Sequence, residues 1–346
     1  MNKPLLAITL GDPAGVGPEV IAGVWPEPRL HEICRPLVIG HPGIMRRAIE
    51  LWQCPARLAE VDSPEDALPT ADTIPCLAVG GPEVLEVRPA TVDARAGQAA
   101  YEALVLAARL ALAGRIDGLV TAPLNKAALW QAGHHYPGHT ELLAELCGVP
   151  DFAMMLYLPP GPGIQGSAGL GVVHVTLHMA LRQALEAVTT SAVAAKIRLA
   201  DRIMRTLKSA PPRIGVAALN PHAGESGLFG DEESRIIAPA VSEASAAGIH
   251  VIGPLPADTL MVRAAAGDFD GVVAMYHDQG HIALKLLGMH RAVNVTLGLP
   301  IVRTSVAHGT AFDLAWQKLA NPSSMLEAIR VAAQLAGKSP GAEASR

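Results

Sequence analysis

The chain has 346 residues, 50% of them apolar and 17% charged, with a formal net charge of −5. This composition supplies ample core material and excludes a disordered chain or an acidic tail. With no Lys/Arg-rich run and only 3% aromatic residues, it also excludes a nucleic-acid binder built on basic stripes or stacking platforms. At about 150 residues per domain the length suggests two domains. The start, Met1-Asn2-Lys3-Pro4 followed by Leu5–Leu10 and then Gly11-Asp12-Pro13, is too short for a secretory apolar region and lacks a cleavage site. Tyr101 to Ala113, the longest apolar helical stretch, is interrupted by Glu102 and Arg109 and falls short of the ~20 residues of a membrane span. Cys34, Cys54, Cys76 and Cys147 are widely spaced and read as buried hydrophobes in a reducing compartment. A cytoplasmic protein without a membrane or nucleic-acid partner is expected.

Strands are expected at Leu5–Leu10, Arg35–Ile39, Gly118–Thr121, Phe152–Leu158, Gly171–Thr176, Ile214–Leu219, Gly271–Tyr276 and Ala292–Thr296. Helices are expected at Gly97–Ala113, Glu141–Cys147, Ala180–Lys208, Glu232–Ala247 and Ser323–Ala336. The alternation predicts an α/β protein with a largely parallel sheet. Thr140 is placed to cap the helix from Glu141, and Gly148 and Gly248 stand where helices end. The tail Gly337–Arg346 reads as disordered. A G-x-G-x-x-G occurs at Gly161–Gly166 after a strand. Its phosphate-binding mechanism needs a helix N-terminus directly behind it, and here another strand follows. The segment therefore reads as a hairpin loop.

Thirteen histidines are present, and three occupy one kind of place. His178, His222 and His277 each come just after an expected strand. In open α/β sheets ligands bind beyond the carboxyl ends of the strands. One such histidine alone is best read as satisfying a backbone group. Three of them predict convergence on one divalent metal, with positions open for substrate oxygens. His174, four residues before His178, lies about 13 Å away along an extended strand at ~3.3 Å per residue, too far for both to bind one ion. His281 is a candidate supporting group. Three neutral imidazoles favour zinc, with cobalt or iron as fits, whereas magnesium suits oxygen-rich sites.

Other polar residues stand close by. Asp278 is either a carboxylate behind a metal ligand, a general base or a helix cap. Lys285 lies on the apolar face of Ile282–Leu287, where it snorkels, serves as an acid or pairs with an anion. Gly138-His139-Thr140 opens a helix and reads as an anion site or a plain cap. Arg303 offers a fork for phosphate or carboxylate. Residue chemistry alone thus predicts a metal-dependent α/β enzyme acting on a small anion.

At these residues the sequence resembles the 4-hydroxythreonine-4-phosphate dehydrogenase family. The resemblance runs through the blocks Leu10–Glu19, Thr121–Lys126, Gly138–Glu141, Asn220–Glu225, Gly253–Leu260, His277–Gly280 and Arg303–Ser305. It implies a fold like that of isocitrate and isopropylmalate dehydrogenases, with two α/β domains around a cleft, and a homodimer with shared active sites. It implies His178, His222 and His277 as metal ligands, and His139, Thr140, Lys285, Asn294 and Arg303 as contacts to a phosphorylated substrate. The run Ala307–Ala315, with His308, Gly309, Thr310 and Ala311, looks like the loop that holds NAD or NADP. Because that loop follows all the metal-binding segments, the C-terminal segment is expected to return to the first domain. The division expected is 1–137 plus 305–346 on the cofactor side and 138–304 on the metal, substrate and dimerisation side.

The implied reaction is oxidation of a four-carbon 3-hydroxy acid phosphate of the 4-phosphohydroxy-L-threonine type, followed by decarboxylation, with Asp278 or Lys285 moving protons. The run Gly280–Lys285 is closer to the D-threonate and D-erythronate 4-phosphate dehydrogenases. The run Val173–His178 also resembles terephthalate dihydrodiol dehydrogenases, whose substrate has no phosphate. A phospho-acyl transferase of similar fold is the alternative of a different class. Trp316 stands where the family usually has glycine.

Overall fold

The computed structural model describes residues 3–337; the expected disordered tail lies outside them, apart from Gly337. In chain order the strands and helices are β1 (Leu5–Thr9), α1 (Gly17–Val24), α2 (Pro28–Ile33), β2 (Arg35–Gly40), α3 (Pro42–Trp52), β3 (Arg57–Val61), β4 (Thr73–Ala78), α4 (Ala94–Leu112), β5 (Gly118–Thr121), α5 (Lys126–Gln131) and α6 (His139–Leu146). They continue as β6 (Ala153–Leu158), β7 (Leu170–His174), α7 (Leu181–Ala187), α8 (Thr190–Lys208), β8 (Ile214–Ala217), α9 (Ala238–Ala246), β9 (Val251–Leu255), α10 (Ala257–Ala265), β10 (Gly271–Ala274), α11 (His277–Gly288), β11 (Val293–Leu297), β12 (Arg303–Val306) and α12 (Ser323–Ala336). This is the expected α/β alternation. Among the described residues no helix is long and apolar enough to cross a membrane.

The described residues form two compact units. The first runs up to Pro150 and resumes at Leu299; the second is Asp151–Gly298. The expected boundaries at 137/138 and 304/305 are therefore corrected. Leu142 and Leu143 of α6 are buried in one apolar cluster with Leu104 of α4, Leu119 of β5 and Ile301, which ties 138–150 and 299–304 to the first unit.

In the first unit the strands run β3-β4-β2-β1-β5-β12, all parallel. β1, β2 and β5 are buried nearly throughout, as the continuous apolar runs of a covered parallel sheet demand. Gly11 follows β1 at φ +69°, and a side chain there would collide with the Pro123 carbonyl, so the turn requires glycine.

In the second unit the order is β11-β6-β7-β10-β8-β9. β6 pairs antiparallel with β11 and β7, while β7, β10, β8 and β9 are parallel. Gly161–Gly166 lies in the connection of the antiparallel β6–β7 pair, so it is a hairpin loop with no helix behind it. The single helix expected over Ala180–Lys208 is two, because Thr189 accepts from the Ala192 N–H and starts α8 afresh. The helix expected from Glu232 opens as a wide turn over Glu233–Ile237 before α9.

Candidate active site

Three neighbouring parallel strands, β7, β10 and β8, end on one edge of the second unit's sheet. His178 follows β7, His277 opens α11 after β10, and His222 follows β8. The His178 and His277 rings lie 5.8 Å apart between centroids. His277 Nδ1–H donates to the Asp278 Oδ1 carboxylate oxygen at 2.6 Å, which makes Nε2 the ring nitrogen with the acceptor lone pair. Asp278 is thus the carboxylate behind His277; Tyr276, not Asp278, is the N-cap residue.

His222 sits in an unusual loop. His222, Ala223, Gly224, Glu225 and Ser226 all have φ between +44° and +76°, a left-handed turn that L-residues adopt at a cost. Glu233 fixes its base: Oε1 accepts from the N–H groups of Leu219 and Asn220 at 2.9 and 2.7 Å. Burial pushes the Glu233 carboxyl up, but these bonds outweigh it and hold it below the usual range. The His222 ring lies 6.4 Å from that of Phe229. Among the described residues no group of three or more His, Cys, Asp or Glu side chains stands in metal-binding proximity.

The sequence reading missed how His174 and His281 meet. His174, the last residue of β7, is 1% exposed and shares an N–H···N hydrogen bond of 3.1 Å with His281. The His281 ring stacks on His277, 3.8 Å between centroids and 10° between planes. Burial, reinforced by the neighbouring imidazoles, lowers His174 to about 3. Burial, then His277 and Lys285, lowers His281 to about 4. Both rings are neutral at pH 7. Lys285, on the next turn of α11, is half-buried. Asn294 on β11 has a buried Oδ1 with no protein hydrogen-bond partner.

In the first unit Arg303 and His139, two of the expected anion residues, lie close enough to act on each other electrostatically. Arg303 on β12 is 2% exposed and donates from Nη2 to Thr121 Oγ1 at 2.8 Å. Burial lowers its guanidinium to about 10, with the Glu141 carboxylate acting in the opposite direction. His139 is held well below its usual value by burial, then by the positive charges of Arg303 and Lys126. Lys126, which the sequence reading passed over, approaches the α6 N-terminus, its Cε within 3.8 Å of where a Gly138 side chain would be. Thr140 is 8% exposed and does not cap the helix: Gly138 occupies the N-cap and α6 begins at His139, a turn-position correction to the sequence reading. These groups crowd positive charge around a helix N-terminus, a setting that suits phosphate.

The loop expected to hold a nicotinamide cofactor packs on the β1–α1 connection. His308 Nε2 and the Ser324 hydroxyl hydrogen-bond at 3.0 Å, and the Val16 N–H donates to the Thr310 carbonyl at 3.0 Å. Gly309 is exposed and Ala311 has φ +42°. Trp316 has φ +60°, a left-handed conformation that glycine would adopt without strain. The buried Glu19 carboxylate compensates by accepting from the N–H groups of Trp316 and Lys318. In the same loop system Asp12 is fully buried; Oδ1 accepts from the Ala14 N–H at 2.8 Å, and Oδ2 has no protein partner. Burial raises its carboxyl to about 6 against the Ala14 bond, with the Asp93 charge adding to the rise.

Known proteins match this chain along nearly its whole length. D-threonate 4-phosphate dehydrogenase of Pectobacterium atrosepticum is 46% identical over 337 residues, covering 97% of this chain and 100% of the relative. 4-hydroxythreonine-4-phosphate dehydrogenase of Geobacter metallireducens is 46% identical over 335 residues, covering 97% of this chain and 96% of the relative. The crystal structure of 4-hydroxythreonine-4-phosphate dehydrogenase from Klebsiella pneumoniae superposes with a TM-score of 0.85 at 44% identity, covering 96% of this chain and 100% of that one. The family model described as pyridoxal phosphate biosynthetic protein PdxA matches residues 32–332, and the chain belongs to the PdxA family.

Proposed function

We propose that this protein is a metal- and nicotinamide-dependent dehydrogenase that oxidises the hydroxyl of a phosphorylated four-carbon 3-hydroxy acid. The observation that carries this reading is the placement of His178, His222 and His277 after three adjacent parallel strands. His277 fits a divalent ion, because Asp278 holds Nδ1 and leaves Nε2 for it. Among the described residues the three histidines of one chain form no cluster, so a second copy is needed to complete the set. The buried, unpartnered Asp12 Oδ2 fits a polar donor of a bound NAD or NADP. Zinc is favoured by neutral imidazoles, with cobalt or magnesium as alternatives. When bound, the ion lowers the pKa of a coordinated alcohol and the nicotinamide takes the hydride.

The chain's own residues have separable tasks. Arg303, His139, Thr140 and the start of α6 bind the phosphate. Lys285 and the open Asn294 Oδ1 orient the carboxylate end. The loop at His308, Gly309, Thr310 and Ala311 takes the adenosine half of the cofactor. Asp278 and Lys285 are the proton carriers. Asp278 accepts from His277 through Oδ1 alone, so its other oxygen can take the alcohol proton through water, while the Lys285 ammonium is the proton donor. The 3-keto acid so formed loses carbon dioxide, and Lys285 returns a proton to the enolate.

A narrower reading is D-threonate 4-phosphate as the substrate. It is favoured by the run Gly280–Lys285 with its His281, and by the name of the Pectobacterium relative. The active form is a homodimer with shared sites, in the cytoplasm. Exposed apolar side chains support the dimer: Ile282 and Leu286 on α11, Met289 just after it, and Leu181 and Leu185 on α7. The test is NAD and NADP reduction with 4-phosphohydroxy-L-threonine, D-threonate 4-phosphate, D-erythronate 4-phosphate and a terephthalate dihydrodiol. Turnover of a phosphorylated acid is expected. Preference for the dihydrodiol overturns the phosphate assignment.

A further inference from the structure

We infer that His174 and His281 are positioning residues that hold the His277 ring in the orientation a metal requires, an inference that rests on His277 being a ligand. His277 opens α11, where its ring has two torsions to settle. Asp278 fixes the ring edge through Nδ1 at 2.6 Å. A bond at one edge still allows the ring to tilt about it. His281, one turn along, closes that freedom by lying nearly parallel against the ring face at 3.8 Å. His281 is in turn fixed by its 3.1 Å hydrogen bond to His174, a buried residue at the end of a core strand. The sheet is thereby coupled to the His277 ring through two buried imidazoles.

Two further features argue that the pair is more than filling. Gly280 breaks the run of helix-forming residues in α11, and a side chain there would come within 2.5 Å of His174 Nε2. The helix thus carries its poorest non-proline former where the His174 ring must pass beneath it. A pair serving packing alone would also be better apolar, since buried polar groups gain nothing over hydrocarbon unless their bonds are used. Metal sites tolerate only small angular errors in their ligands, and groups behind the ligands commonly change metal affinity ~10- to 100-fold when removed.

The test is the Co2+ dissociation constant of the metal-stripped full-length protein, by chelator competition, read together with the visible Co2+ spectrum. His281→Leu removes stack and bond and is expected to weaken Co2+ ~10- to 100-fold and to alter the spectrum. His281→Phe keeps a ring face and is expected to recover most of that loss. His174→Leu, which frees His281, is expected to weaken Co2+ in the same direction while circular dichroism and the melting temperature show a folded chain. His277→Ala is the control for the underlying reading. If it abolishes binding while His281→Leu and His174→Leu bind Co2+ like the parent, the positioning role is wrong. If His277→Ala itself binds like the parent, the ligand assignment fails, and the positioning role with it. Should His281→Leu fail to fold, His281→Phe and His174→Leu decide: parental affinity and spectrum in His174→Leu overturn the inference.

Discussion

The Asp278 carboxylate accepts from Nδ1 of its neighbour His277 at 2.6 Å, which leaves the acceptor lone pair of that ring on the opposite nitrogen, Nε2. Replacing His178, His222 or His277 with Ala is therefore expected to remove the bound ion and most activity. Elemental analysis of the purified variants checks this; a fully occupied His277→Ala protein contradicts it. Asp278→Asn keeps the side-chain shape but weakens the hold on Nδ1, and should lower metal affinity ~10-fold or more.

The anion residues should differ in weight. Arg303 is buried and charged, so Arg303→Met should cost about 3–5 kcal/mol in kcat/KM for a phosphorylated substrate, the scale of a broken buried pair. Thr140→Val should cost nearer ~1 kcal/mol, one hydrogen bond. Steady-state kinetics separate the two. Equal effects on an unphosphorylated diol would show that neither residue reads the phosphate.

Shared sites predict complementation. His178→Ala and His222→Ala proteins, each inactive, are refolded together. If His178 and His222 of one site come from different copies, mixed dimers contain one intact site and the mixture regains about a quarter of parental activity. A mixture as inactive as its components places His178 and His222 of a site in one chain.

Asp12 sets a pH dependence of stability. Its carboxyl is raised from 3.8 to about 6 in the folded chain, chiefly by burial. Between those values the folded state binds more protons than the unfolded state, so this group's contribution falls as pH rises through that window. Asp12→Asn should flatten the fall, by at most about 3 kcal/mol for two pKa units. Melting temperatures from pH 4 to pH 7 test this; parallel curves for both proteins contradict it.

The longest helices, α4, α8 and α12, were legible in the sequence; α3, β4 and β12 were not among the expected elements, and other misses have physical reasons. β3 was missed because Arg57–Val61 is an edge strand without a buried run, and β9 because Pro254 interrupts it. α11 was hidden by Gly280, whose presence answers to His174 on another element. The strand-end histidines could be found because strand ends are marked locally. The His174–His281 bond could not, since distance along a strand says nothing of a helix that returns across it. Lys126 was likewise invisible because its approach to the start of α6 depends on how α5 and α6 fold together.

The most direct measurement is NAD(P) reduction by metal-stripped protein given D-threonate 4-phosphate or 4-phosphohydroxy-L-threonine, before and after adding Zn2+ or Co2+, in the parent and in His222→Ala. The account predicts no reduction by the stripped parent, recovery on adding metal, and no recovery in His222→Ala. Full turnover by the stripped parent, or metal-restored turnover in His222→Ala, would contradict it.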